Sequence, residues 1–174
     1  MKYFNTRFFA AMALIRFLRL EGAKSVVAVG HRPQRVQRIR EHAQADLAVN
    51  AHEESPEERL KDRRFDLVID AVGSTAIIRE GARLLKRGGK VGVFGVIKKK
   101  DSAISLLDLP NHVSVHMLNW PYQEHATHDE LVNAILKGEI NPKDYYSHVM
   151  PMEEVERAVE LVRSREAFKV VLSI

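Results

Sequence analysis

The stretch "FDLVIDAVGS" (65–74) sets the tightest limit on what this chain can fold into. Its apolar residues run on rather than alternate, so neither face is left polar for water. A strand of that kind needs both faces covered, as in a parallel sheet flanked by helices. The surrounding sequence agrees. Apolar positions recur at helical spacing from Phe8 to Leu20 and stop at Gly22, which reads as a helix closed by a glycine C-cap. "SVVAV" follows as a buried strand. "PQRVQRIREHAQ" then sets Val36 and Ile39 on one helix face with Pro33 in the first turn, and "ADLAVN" is the third strand. "SPEERLKD" carries a helix start, with Ser55 as N-cap, Pro56 behind it and Glu58 three residues on.

The spacing predicts a helix through "STAIIREGARLLKRGG", stopped by the paired glycines, and a strand at "KVGVFGV". With "MKYF" as a short first strand, the order is βαβαβαβαβ. That order implies an α/β, doubly wound parallel sheet in three αβα layers, with ligands at the carboxyl ends of its strands. Beyond Val96 the alternation gives way to two extended stretches, "SAISLLDL" and "VSVHMLN", separated by Pro110. A helix is expected from Thr127, with Glu130 completing a capping box, and "EEVERAVELVRS" forms a last helix before the strand "KVVLSI". The expected division is 1–120 for the sheet domain and 121–174 for a helix-helix-strand segment.

Composition removes several classes. With 174 residues, 45% of them apolar, the chain has enough for a full core. Having no cysteine, it offers no disulfide scaffold, zinc ribbon or thiol nucleophile. Arg16 and Arg19 interrupt the longest apolar run, so no membrane span is expected. Arg7 precedes "FFAAMALI" without a small-residue cleavage site after it, which argues against a secretory signal. A soluble, cytoplasmic protein is expected. The net charge of +4 is spread along the chain, and its one run, "KKK" at 98–100, reads as a solvated loop rather than a nucleic-acid contact. His125 and His128 stand at i, i+3, but they straddle the expected cap at Thr127 and have no third ligand nearby. His112, His116 and His148 fall in strand or loop contexts that suit structural roles, and no nucleophile elbow is visible.

The ordered series "GAKSVVAVGHRPQRVQRIREHAQADLAVN", "FDLVIDAVGS", "LLKRGGKVGVFGV" and "ILKGEINPKDYYSHVMPMEEVERAVELVRSREAFKVVLSI" resembles the second half of the medium-chain dehydrogenases and reductases, the zinc-type alcohol and polyol dehydrogenases. The resemblance implies a Rossmann fold that binds a nicotinamide dinucleotide. The family carries its catalytic zinc in a preceding domain, and no residue before Met1 supplies one here. The expectation is therefore a cofactor-binding half, inactive alone and without zinc, whether as a fragment, a truncated product or a subunit that needs a separate catalytic-domain partner.

Carried over position by position, the family's G-x-G-x-x-G falls on Asn5, Arg7 and Ala10, and all three glycines are missing. Those glycines serve a tight turn, close backbone approach to pyrophosphate and close helix packing. Ala10 nearly meets the last need, whereas Arg7 puts a long side chain where backbone should meet phosphate, so weak dinucleotide binding is expected. At the end of the second strand, where NAD enzymes place an acid, stand Gly30, His31 and Arg32. Their charge favours the 2′-phosphate of NADP over NAD. Arg35 matches a basic residue near the adenosine ribose. By the same resemblance, Asp70, Ala71, Val72 and Gly73, together with Phe94, Gly95 and Val96, line the nicotinamide side, and Lys169 lies near the pyrophosphate. Asp70 reads equally well as a cap for the following helix.

The resemblance also implies a homodimer through residues 103–118. Leu131, Ile135, Val155, Val159 and Val162, which in the family pack partly on the preceding domain, then need another cover. Two other readings stand beside this one: a non-enzymatic dimeric scaffold on a decayed dehydrogenase fold, and an S-adenosylmethionine-dependent methyltransferase.

Overall fold

The computed structural model describes residues 2–6, 8–118 and 124–174. Met1–Tyr122 forms one compact unit and Gln123–Ile174 a second. In the first unit, strands and helices alternate: β1 (Lys2–Thr6), α1 (Phe8–Leu20), β2 (Val26–Gly30), α2 (Pro33–His42), β3 (Leu47–Asn50), α3 (Pro56–Arg59), β4 (Phe65–Ala71), α4 (Thr75–Arg83), β5 (Leu85–Val93) and β6 (Ser114–Met117). The strands make one sheet in the order β3-β2-β1-β4-β5-β6, and every neighbouring pair is parallel.

The continuous apolar strands behave as their composition requires. Val27, Val29, Val68, Val91 and Val93 bury into one cluster with Ile78 and Ala82 of α4, with Leu60 and Phe65. Successive side chains point to opposite faces, so Val26, Ala28 and Ile69, also buried, turn the other way. α1 contributes buried Ala11, Met12 and Ile15. Each buried Val, Leu, Ile, Phe or Met side chain among them is worth about 1.5–3 kcal/mol and each alanine less, so the covering of both faces supplies most of what holds the sheet together.

Several local signals hold. Gly22, at φ +76°, ends α1 in a Schellman arrangement: its N–H donates to the Arg19 carbonyl at 2.9 Å and that of Ala23 to the Leu18 carbonyl at 2.8 Å. Ser55 caps α3, its hydroxyl accepting from the Glu58 amide at 3.4 Å, with Pro56 as the first helical residue.

Three expectations fail. Residues 102–109, "SAISLLDL", make no strand: the segment from 99 to 108 carries short 3-10 turns at Lys99–Asp101 and Leu106–Asp108. Ser105 caps the second turn by accepting from the Leu107 amide, and this local bonding replaces a ladder. The helix expected to run to the paired glycines stops at Arg83, and β5 begins at Leu85, opposite Phe65, before the register shifts to pair Leu67 with Lys90. Leu85 continues the helical phase of Ile78, and that spacing hides the boundary. Thr127 sits at the start of α5 (His128–Leu136) but makes no side-chain cap bond, because its backbone is not in the extended conformation a capping box uses.

The second unit holds α5, β7 (His148–Pro151), α6 (Val155–Ser164) and β8 (Val170–Ser173). β7 and β8 pair in parallel around buried Met150, Ala158 and Ala167. Leu131, Val155, Val159 and Val162 are 37–47% exposed, and Ile135 is partly covered.

Candidate cofactor site

The strand order reverses at β1: the chain moves outward through β2 and β3, then returns to add β4 on the other side of β1. Sheets of this kind open a crevice outside the carboxyl ends of the two central strands at that switch point. Of the residues expected there, Arg7 lies outside the described residues. Asn5 pairs with Val29 and Asp70 in register. Ala10 stands in the first turn of α1, partly exposed.

The ends of β4 and β5 are interlocked. Gly73, at φ +84°, has the Val96 carbonyl where a Cβ would go, with the Ile97 nitrogen 2.9 Å away. A Cβ on Gly95 would likewise overlap the Gly73 nitrogen and stand 2.6 Å from the Val72 nitrogen. The two loops therefore meet backbone to backbone, and both glycines serve that contact.

Asp70 holds the turn from below. Its buried carboxylate accepts from the amides of Val72 at 2.9 Å, Gly73 at 3.1 Å and Ser74 at 3.2 Å. Burial pushes its carboxyl above the ordinary range, and the three amides only partly offset this. These amides lie in the turn before α4 (Thr75–Arg83), so the Asp70 oxygens hold that turn and do not cap the helix itself. Ala71 is buried and Val72 partly so, while Phe94 and Val96 are 37% and 64% exposed.

Past β2 the character changes. A Cβ on Gly30 would lie 3.0 Å from Val36 Cγ2, so glycine lets α2 pack close to the strand end. Arg32 caps α2 through its backbone, its carbonyl accepting from the Arg35 and Val36 amides at 3.0 Å. His31 is exposed, and Arg32 and Arg35 are partly so. No acidic residue occurs between Gly30 and Glu41, so the segment that leaves β2 carries charge of positive sign only, with Glu53 of the neighbouring strand's loop beside Pro33 and Gln34.

Lys169 lies in the second unit, directly before β8; its side chain is exposed and its carbonyl accepts from the Ser147 amide at 2.9 Å. His125 and His128 are exposed. Among the described residues, no group of three His, Asp or Glu side chains converges in a way that would hold a metal ion. No helix of the described residues is long and apolar enough to cross a membrane.

The sequence reading missed Asp101 and Thr75. The Asp101 carboxylate accepts from the Thr75 hydroxyl and, at 3.3 Å, from its amide. The two residues are 26 positions apart, and no local pattern marks them as partners.

A family model for zinc-binding dehydrogenases matches residues 11–136. The chain belongs to the zinc-binding dehydrogenase family. It is 23% identical to D-arabinitol dehydrogenase 1 of Uromyces fabae over an alignment of 169 residues that covers 92% of this chain and 48% of that protein. The alcohol dehydrogenase of Thermotoga maritima superposes with a TM-score of 0.81 at 26% identity, covering 98% of this chain and 49% of the other. An Escherichia coli alcohol dehydrogenase, solved in complex with NADH, gives a TM-score of 0.87 at 17% identity over 100% of this chain and 52% of its own; at that identity the likeness is one of fold. The chain spans about half the length of the curated relatives it matches, and in this family it corresponds to the C-terminal half.

Proposed function

We propose that this chain is the nicotinamide-dinucleotide-binding part of an oxidoreductase and that it prefers NADP to NAD. The observation that carries the preference is the end of β2, where Gly30 leads into His31, Arg32 and Arg35 and no acidic residue occurs in the sequence until Glu41. An acid at that point would accept from the ribose hydroxyls of NAD; a guanidinium instead makes a charge-assisted bond to a 2′-phosphate. The NADH complex of the Escherichia coli neighbour supports the dinucleotide class, and the missing glycines at positions 5, 7 and 10 make weak binding the expectation. With no cysteine in the chain, any zinc would fall to His and carboxylate side chains; zinc binding and alcohol turnover belong, on this reading, to a catalytic part of the kind found in the full-length relatives. A second copy is the proposed partner of the β6 edge.

Calorimetry with NADPH and NADH on the intact chain and on Arg32→Ala tests the reading. NADPH should bind more tightly, and the substitution should weaken NADPH by roughly tenfold, the scale of one charge-assisted bond, while leaving NADH unchanged. Equal affinities, or no loss in the variant, would overturn the preference. A folded chain that binds neither cofactor would favour the decayed scaffold.

A further inference from the structure

Capping residues normally lie next to the helix they cap. Ser74 occupies that position before α4 and makes no side-chain cap bond. The role passes to Asp101, in the long connection between β5 and β6, which takes both the amide and the hydroxyl of Thr75. Thr75 is only 7% exposed, so this contact is shielded on one side. One turn further along α4, Arg79 pairs with Asp108 at 3.2 Å; that pair is about 40% exposed on each side and adds little. Residues 71–75 are therefore held from two directions, by Asp70 from the strand below and by Asp101 from a distant segment, and Gly95 interlocks with the same turn.

We infer that Asp101 is a positioning residue: acting through Thr75, it fixes the turn at the carboxyl end of β4 in the shape that a bound dinucleotide meets. The inference rests on the dinucleotide reading above. The Thr75 hydroxyl holds the Asp101 carboxyl below the ordinary range, which fits a carboxylate bonded in the folded chain. Asp70 already saturates the amides of Val72, Gly73 and Ser74. Gly95 and Val96 meet the turn at Val72 and Gly73, and Thr75 is where the later part of the same connection, at Asp101, takes hold of it.

The test compares Asp101→Ala, Asp101→Asn and Thr75→Val in the intact chain, reading NADPH and NADH affinity by calorimetry and amide hydrogen exchange at Gly73 and Thr75. Asp101→Ala and Thr75→Val should weaken both cofactors by roughly tenfold and speed exchange at Thr75. Asparagine keeps an acceptor for Thr75, so Asp101→Asn should stay within about threefold of the unaltered chain. A purely structural bond would lower the melting temperature of the alanine variant and leave both affinities alone; that result, or asparagine behaving like alanine, would overturn the positioning role. If the unaltered chain binds neither dinucleotide, the dinucleotide reading falls and takes the role in cofactor placement with it. Unchanged exchange at Thr75 in Asp101→Ala would sink the brace alone.

Discussion

The contact between the β4 and β5 loops can be separated into its physical parts with three glycines. Gly22 has φ +76° and nothing within 4 Å of a Cβ position, so Gly22→Ala meets only the left-handed backbone cost, about 1–2 kcal/mol. Gly95 has no left-handed φ, yet its Cβ would overlap Gly73 and Val72 backbone. Gly95→Ala therefore meets overpacking alone, typically about 1–3 kcal/mol. Its neighbours are main-chain atoms that cannot rotate aside, which places it near the upper end. Gly73 combines φ +84° with overlap of the Val96 carbonyl, so Gly73→Ala should lose about 2–5 kcal/mol by adding the two costs. In a chain of this size each kcal/mol lowers the melting temperature by roughly 2–4 °C. Calorimetric melting of the three variants should rank them Gly73→Ala, then Gly95→Ala, then Gly22→Ala. Gly22→Ala as damaging as Gly73→Ala, or Gly95→Ala within about 0.5 kcal/mol of the unaltered chain, would show that the two loops are not in backbone contact.

Arg165 ends α6 at φ +72°, and Arg165→Gly should raise stability by about 0.5–1 kcal/mol in urea unfolding; a loss would contradict the left-handed cap. The Asp101 carboxyl is held below its ordinary range, so at acid pH the folded chain binds fewer protons than the unfolded one. Its contribution is present above about pH 4 and fades as pH falls through the lower folded value. The acid limb of melting temperature against pH should be shallower in Asp101→Asn, and an identical limb would count against the bond. At the outer edge of the sheet, Val115 and Met117 are 42% and 57% exposed. Val115→Lys with Met117→Lys should convert a dimer to a monomer in light scattering; a monomer before substitution, or a dimer after it, would refute association through β6.

The sequence made the sheet legible because its signals were local or repetitive. The largely apolar stretch at 65–72, broken only by Asp66 and Asp70, demanded cover on both faces, and Gly22, Pro33 and Ser55 each marked a helix end by their own backbone or hydroxyl chemistry. Reading failed where the deciding partner was remote. Leu84 and Leu85 continue a helical phase, yet Leu85 pairs with Phe65 across the sheet. Residues 102–109 look extended, yet they bond locally and through Asp108 to α4. Strand β7 was missed because its four residues are too few to show a period, and only pairing with β8 defines them. At the candidate site, the cations after β2 were visible as sequence neighbours. The link from Asp101 to Thr75 was not, since nothing in "KKKDS" names a helix start 26 residues earlier.

The two rims of the main sheet are finished differently. On β3, the Arg40 guanidinium donates to the Ala48 carbonyl at 2.8 Å, occupying an acceptor that an incoming strand would use, whereas β6 keeps exposed side chains along its whole length. A sheet open at both rims can add copies without limit and grow into a fibre. One guarded rim removes that route: two copies meeting through β6 about a twofold axis would each turn a blocked rim outward, and growth would stop at the pair. A single arginine on α2 would thus decide whether edge pairing closes or propagates.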